Sequence, residues 1–276
     1  MKPFSIPVVA LGPGTQSEAE ALQYLVMPDA MRTYRSPILP EPDEIRGLGR
    51  ARDALQATLN ELRDGACSSG RIDLSRMDTA NLALIDQIMG EGEVSARIDS
   101  AGGSLRIQES VFAGVWRVRM VDNEANCIND HIEVGDLPVA VIRAGADGQR
   151  QPLAPPLAAG VINAPALLAE ISEHLEQGTP HHIINLSLLP FSPEDARWLD
   201  QALGRGTVSL LSRGYGNCRI TATGIRRVWW VQYFNSQDAL ILNTLEITDA
   251  PEVARAARED LADSGQRLAE VLDWIG

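Results

Sequence analysis

The chain carries the same unit twice, and no other feature of its sequence narrows the possible folds as far. "LALIDQIMGEGEVS" at 82–95 lines up with "ARWLDQALGRGTVS" at 196–209, a separation of 113 to 114 residues. Asp86 and Gln87 match Asp200 and Gln201, Gly90 and Gly92 match Gly204 and Gly206, and Val94 and Ser95 match Val208 and Ser209. Further on, "LRI" at 105–107 meets "CRI" at 218–220, "VWRV" at 115–118 meets "VWWV" at 228–231, and Glu133 and Pro138 fall on Glu246 and Pro251. Matches this numerous, kept in one order, define a duplicated domain.

Each copy reads in the same way. A helix at about 51–63 or 165–177 is closed by Gly65 or Gly178. A short strand follows (70–75, 183–189), then a second helix (78–89, 193–203) with Asp78 or Ser192 as N-cap. Gly90 and Gly204 suit the left-handed position that ends such a helix. Strands at 93–99, 104–109, 114–121 and 127–134, with counterparts near 207–212, 217–222, 227–234 and 240–247, complete the unit, and "SAGGS" and "GYGN" supply hairpin turns. Helices first and a meander after them predict an α+β fold: two tandem units of α-β-α-β-β-β type, mainly antiparallel sheets covered by helices.

The predicted organisation is an N-terminal extended strap (1–50), a first unit (51–143), a Gly/Pro-rich linker (144–163) and a second unit (164–276). The second unit ends in an amphipathic helix in which Ala257, Leu261, Ser264, Leu268, Val271 and Ile275 recur at helical spacing. That helix is expected to dock on its own unit or on the neighbouring one.

The two copies act as controls for each other. Cys218 takes the place of Leu105, so it reads as a core residue rather than a reactive thiol. Trp116, Val118 and Met120 match Trp229, Val231 and Tyr233, a face apolar in both copies that is expected to pack on the helices. The opposite face offers Val115, Arg117, Arg119 and Val121 in one copy and Val228, Trp230, Gln232 and Phe234 in the other. Aromatic side chains on a face that need not be buried have the composition of a protein–protein contact. Packing of this face against the first unit or the C-terminal helix is the alternative, and it stays open. Tyr215, Asn217 and Asn235 would flank the face, so Tyr215, Asn217, Trp230, Gln232, Phe234 and Asn235 form the candidate partner-binding set.

A net charge of −13 argues against a nucleic-acid backbone as ligand, because phosphate contacts need clustered Lys and Arg. No apolar stretch reaches membrane-spanning length, so membrane insertion is not expected, and "MKPFSIPVVALGPGTQ" makes a poor signal peptide, which predicts a cytoplasmic protein. The three cysteines, Cys67, Cys127 and Cys218, form no CxxC, and no GxSxG, HExxH or P-loop is present. His131, His174, His181 and His182 read as loop or surface histidines, since the adjacent pair points apart along a strand. No catalytic, metal or cofactor residue is assigned. A weaker idea is that Cys127 or Cys218 transiently holds iron.

"GEGEVS", "LLSRGYGNCRITAT", "VWWVQYFNSQDALILNTLEITDAPEVARAAREDLADS" and "YLVMPDAMRTYRSPILPEP" resemble the HupH/HyaF family of hydrogenase expression and formation proteins, over nearly the whole chain. The resemblance implies a non-catalytic accessory role in maturing an uptake nickel–iron hydrogenase. It implies a chaperone for the iron–sulfur small-subunit precursor before export, working beside a thioredoxin-like accessory protein. A small-ligand module or enzyme with a site between the two repeats is the alternative.

Overall fold

A computed structural model describes residues 47–275 except 65–69, 150 and 215. The expected strap lies almost wholly outside the described residues, as do Gly65, Cys67 and Tyr215. The first unit runs α1 (Gly49–Arg63), β1 (Arg71–Asp73), α2 (Thr79–Met89), β2 (Val94–Ser100), β3 (Gly103–Glu109), β4 (Val115–Asp122), β5 (Cys127–Val134) and α3 (Val139–Ala146). The second runs α4 (Ala164–Gln177), β6 (His182–Asn185), α5 (Pro193–Leu203), β7 (Arg205–Ser212), β8 (Asn217–Thr223), β9 (Val228–Phe234), β10 (Leu240–Ile247) and α6 (Arg258–Trp274).

Local chemistry accounts for the boundaries. Asp78 accepts from the backbone N–H of Asn81, and Ser192 forms a capping box with Asp195, so both second helices start where an orphan donor finds an oxygen. Gly90 and Gly204 close these helices with φ of 53° and 63°, values that disfavour a side chain. Pro138 and Pro251 share one conformation, φ −58° and ψ 136°. After it the copies diverge: the first continues as α3, which runs into the Gly/Pro-rich segment, and the second makes only a 3-10 turn, Glu252–Ala254.

The ten strands of the described residues form one antiparallel sheet in the order β1-β5-β4-β3-β2-β7-β8-β9-β10-β6. The order is palindromic under the repeat, which gives the sheet a pseudo-two-fold axis between β2 and β7. Pairing there runs from Val94↔Ser212 to Ile98↔Val208, so backbone hydrogen bonds close the seam between the repeats. The two repeats thus share one sheet rather than facing each other as two.

Helices and turns cover much of both faces of the sheet, while Arg106 and Arg119 stay exposed. One face carries Ile107, Trp116, Val118, Ile220, Trp229 and Val231 and is covered by α3 and the turn at 252–254, through Leu137, Val141 and Ala254. The four longer helices of the repeat pattern lie on the other face. There α1, α2 and α6 cover Val115, Ile132 and Val134, and α4 and α5 cover Val228, Trp230, Leu245 and Ile247. The Trp116/Trp229 face is thus packed on short segments, and the long helices cover much of the opposite face, which the sequence left open between a partner contact and internal packing.

The units exchange their trailing segments. Gly145 of α3 sits so close to Trp229 that a Cβ there would fall 2.1 Å from the indole ring. In return, α6 packs on α1, with Leu268 and Leu272 in the first unit's core. Arg255 pairs with Asp136 across the same boundary.

Candidate interaction surface

On the face that carries the long helices, the register aligns side chains in rows across the seam. One row reads Trp230, Thr221, Ser209, Arg97, Arg106, Arg119 and Asp130. The repeat maps it onto Arg117, Gln108, Ser95, Leu211, Arg219, Gln232 and Asn243. Arg97, Arg106 and Arg119 therefore stand side by side on neighbouring strands. Like charges directly opposite in a sheet destabilise it unless something compensates. Asp99 pairs with Arg97 at 2.7 Å, and Asp130 is already engaged by Arg117. Among the described residues neither Arg106 nor Arg119 has an ion pair, and both are exposed. Arg97, Ser209, Thr221 and Arg219 are half-buried. The row is a local inversion of sign on a chain whose net charge is −13.

At the ends of this surface the helices close over polar groups. Arg117 holds Asp130 with two hydrogen bonds of 2.5 and 2.6 Å and reaches Asp86 of α2 at 3.1 Å. In the second copy Trp230 donates its indole N–H to Asn243, with α4 and α5 above it.

The candidate set is split by the structure. Trp230 is 6% exposed and Gln232 7%, so the expectation of an open aromatic face is corrected at these two positions. The strand alternation was right, but Trp230 packs under α4 and α5 of its own unit, a cover the sequence reading did not consider. Phe234 is half-buried, with the Arg219 guanidinium 4.4 Å above its ring; Arg219 Nε is buried without a hydrogen-bond partner among the described residues. Asn217 is half-buried beside Asp238. Asn235 is turned inward on its own loop, where Oδ1 accepts from the N–H groups of Gln237 and Ala239. Tyr215 lies outside the described residues.

Cys218 is 2% exposed, and burial pushes its thiol up to about 12, as the core reading expects. Cys127 is exposed. His131 corrects the surface reading of the histidines: it is buried on β5 between Asn129 and Glu133, and its contact with Glu133 is 2.9 Å. This contact draws the Glu133 carboxyl below its usual range. His182 and His174, eight positions apart in sequence, stack with ring centroids 3.6 Å apart, and Glu170 touches His182 at 2.7 Å. Sequence reasoning missed this group, although the Glu170–His174 spacing of one helical turn was the available signal.

The duplicated sheet thus carries an accessible arginine row on a face otherwise largely covered by helices. In sequence the chain matches the family model of the HupH hydrogenase expression protein, C-terminal conserved region, at residues 53–151 and again at 161–275. This chain belongs to that family. Similar to it are the hydrogenase expression/formation protein HoxQ of Cupriavidus necator, 50% identical over 100% of this chain and 99% of the relative, and HupH of Rhodobacter capsulatus, 47% identical over 99% and 98%. The hydrogenase-1 operon protein HyaF of Escherichia coli is 32% identical over 96% and 95%. A solved structure of the hydrogenase expression protein HupH from Thiobacillus denitrificans aligns with 41% of this chain and 94% of its own, at 36% identity and a TM-score of 0.36. No helix among the described residues is long and apolar enough to cross a membrane.

Proposed function

We propose that this chain is a non-catalytic accessory protein of hydrogenase maturation that holds an immature hydrogenase subunit at its arginine row. The family supports the pathway, since its relatives are named hydrogenase expression or formation proteins. The observation that carries the binding mode is the row Arg97, Arg106 and Arg119 on an acidic chain, in which only Arg97 has a carboxylate partner among the described residues. Such a row favours a segment bearing carboxylates, and the acidic remainder of the surface suits a basic leader. The client is the iron–sulfur small-subunit precursor of an uptake nickel–iron hydrogenase, met in the cytoplasm before export. A thioredoxin-like accessory protein is its co-worker.

In this reading Phe234, Asn217 and Asn235 form the rim of the contact, Trp230 and Gln232 support it from within the core, and Tyr215 belongs to the proposed partner-binding set. The test is co-purification with the small-subunit precursor, with and without its leader, from the same cells. Binding should fall at least tenfold in Arg106→Glu/Arg119→Glu, with melting unchanged, and weaken as salt rises. Phe234→Ala should weaken binding while the fold persists. Equal retention by the wild type and the double Arg variant would remove the arginine row from the proposal. No retention of either precursor form would remove the client.

A further inference from the structure

Glu170 and His174 stand four residues apart on α4 and so share a helix face. Gly178, in the left-handed conformation at φ 66°, turns the chain back, and His182 opens β6 beneath that face. The pairing of His182 with Ile247 of β10 fixes its backbone. One donor atom from each of Glu170, His174 and His182 lies within 4.8 Å of the other two. Donors around a four-coordinate first-row ion stand about 3.4 Å apart, as bond lengths of 2.0–2.2 Å require, so modest side-chain rotations close the site.

We propose that Glu170, His174 and His182 bind one divalent first-row metal ion of the zinc class. Two imidazoles and a carboxylate are the donor set that such ions favour over magnesium or calcium. His174 is oriented from behind: its Nδ1 lies 3.0 Å from Thr179 Oγ1, which leaves Nε2 to face the ion. A hydrogen bond of this kind is the usual outer support of a ligating histidine. Glu170 and His182 keep 41% and 27% of their side-chain surface exposed, so the ion can enter, and a coordination position remains open to water or to a further ligand.

The repeat supplies the control. Burial along α1 matches that along α4 at a shift of 113 residues, which sets Ala57 and Glu61 at the places of Glu170 and His174. The strand register sets Gly70 at the place of His182, and a Cβ on Gly70 would lie 2.0 Å from the Glu61 carboxyl carbon. The first unit thus builds the same juxtaposition without an imidazole. A single Glu–His contact would suffice to tie helix to strand. The second imidazole, stacked at 3.6 Å, is an additional donor found only in the second copy.

The test uses the full chain, stripped with chelator and titrated with zinc by calorimetry and with cobalt(II) by visible absorption at neutral pH. One equivalent should bind, with a cobalt spectrum whose intensity reports low coordination number. His174→Glu/His182→Gly, which installs the first unit's residues, should weaken binding at least tenfold. Thr179→Ala should weaken it several-fold, and His181→Ala should leave it unchanged. Urea unfolding of each metal-free variant checks the fold, which the first unit shows can carry these residues. Absence of saturable binding by the wild type, or equal binding by the double variant, would overturn the proposal. It is independent of the client-binding reading, since the titration contains no second protein.

Discussion

Trp230 donates its indole N–H to Asn243 Oδ1 at 2.5 Å, at the place in the second unit where Arg117 grips Asp130 in the first. One scaffold position thus supports a neutral pair in one copy and a buried ion pair in the other. The solutions differ in what happens when a partner is lost. A buried charge stripped of its counter-ion costs about 3–5 kcal/mol, whereas a neutral acceptor costs less.

Arg117→Met should therefore destabilise the protein by about 3–5 kcal/mol, because Asp130 stays behind at 10% side-chain exposure. Arg117→Trp/Asp130→Asn, which grafts the second unit's pair, should recover at least half of that loss. Urea unfolding of the two variants and the wild type makes the comparison. A double variant no more stable than Arg117→Met would mean that the ion pair has a role beyond mutual neutralisation.

Glu109 predicts how stability depends on pH. The residue is 6% exposed, and burial raises its pKa from 4.5 to about 7, although the N–H groups of Gly114 and Val94 oppose the shift. The folded state holds this proton more tightly than the unfolded state does. The group's contribution is therefore complete below about pH 4.5 and is lost as pH rises to about 7. Glu246, also raised by burial, acts in the same direction. From pH 5 to 8 the Glu109 contribution should fall by about 2–3 kcal/mol. Glu109→Gln should lose to the wild type at pH 5 and gain on it by that amount at pH 8. A constant gap between the two proteins would show that Glu109 titrates normally.

The thiols should separate by rate. In a Cys67→Ser background, Ellman's reagent at pH 8 should modify Cys127 at once and Cys218 only on unfolding, because Cys218 is buried with its thiol pushed up to about 12. Two equally fast thiols would show that the core opens at β8.

The repeat, the caps and the strands were legible because each is written locally. Gly90, Gly204, Asp78 and Ser192 declare their roles within a few residues, and Cys218 was placed correctly by its counterpart Leu105. The choice of face was not legible. Alternation separates Trp229 from Trp230, but both residues are buried, and the residues of α3 that cover Trp229 form too short a helix to betray themselves by periodicity. Arg117 looked like a surface residue because the charges that neutralise it, Asp130 and Asp86, lie 13 and 31 positions away. The β2–β7 seam joins two strands that are edges of their own units, and nothing within either unit announces the partner.

Gly145 tests the exchange of segments between the units most directly. It lies in α3 with ordinary helical geometry, so alanine there should gain up to about 1 kcal/mol from helix propensity. Packing opposes this gain. The added Cβ would lie 2.1 Å from Trp229 Cζ2 and 2.7 Å from Cη2, and that indole is fully buried with its N–H held by the carbonyl of Thr248. The ring therefore has little freedom to yield, and overpacking of this kind costs about 1–3 kcal/mol. Gly145→Ala should be net destabilising, by about 1–2 kcal/mol after the propensity gain is counted. Trp229→Phe should relieve part of the clash, so the double variant should lose less than the sum of the single losses. Additive losses in urea unfolding would mean that α3 does not bear on Trp229, and that the first unit does not cover the second.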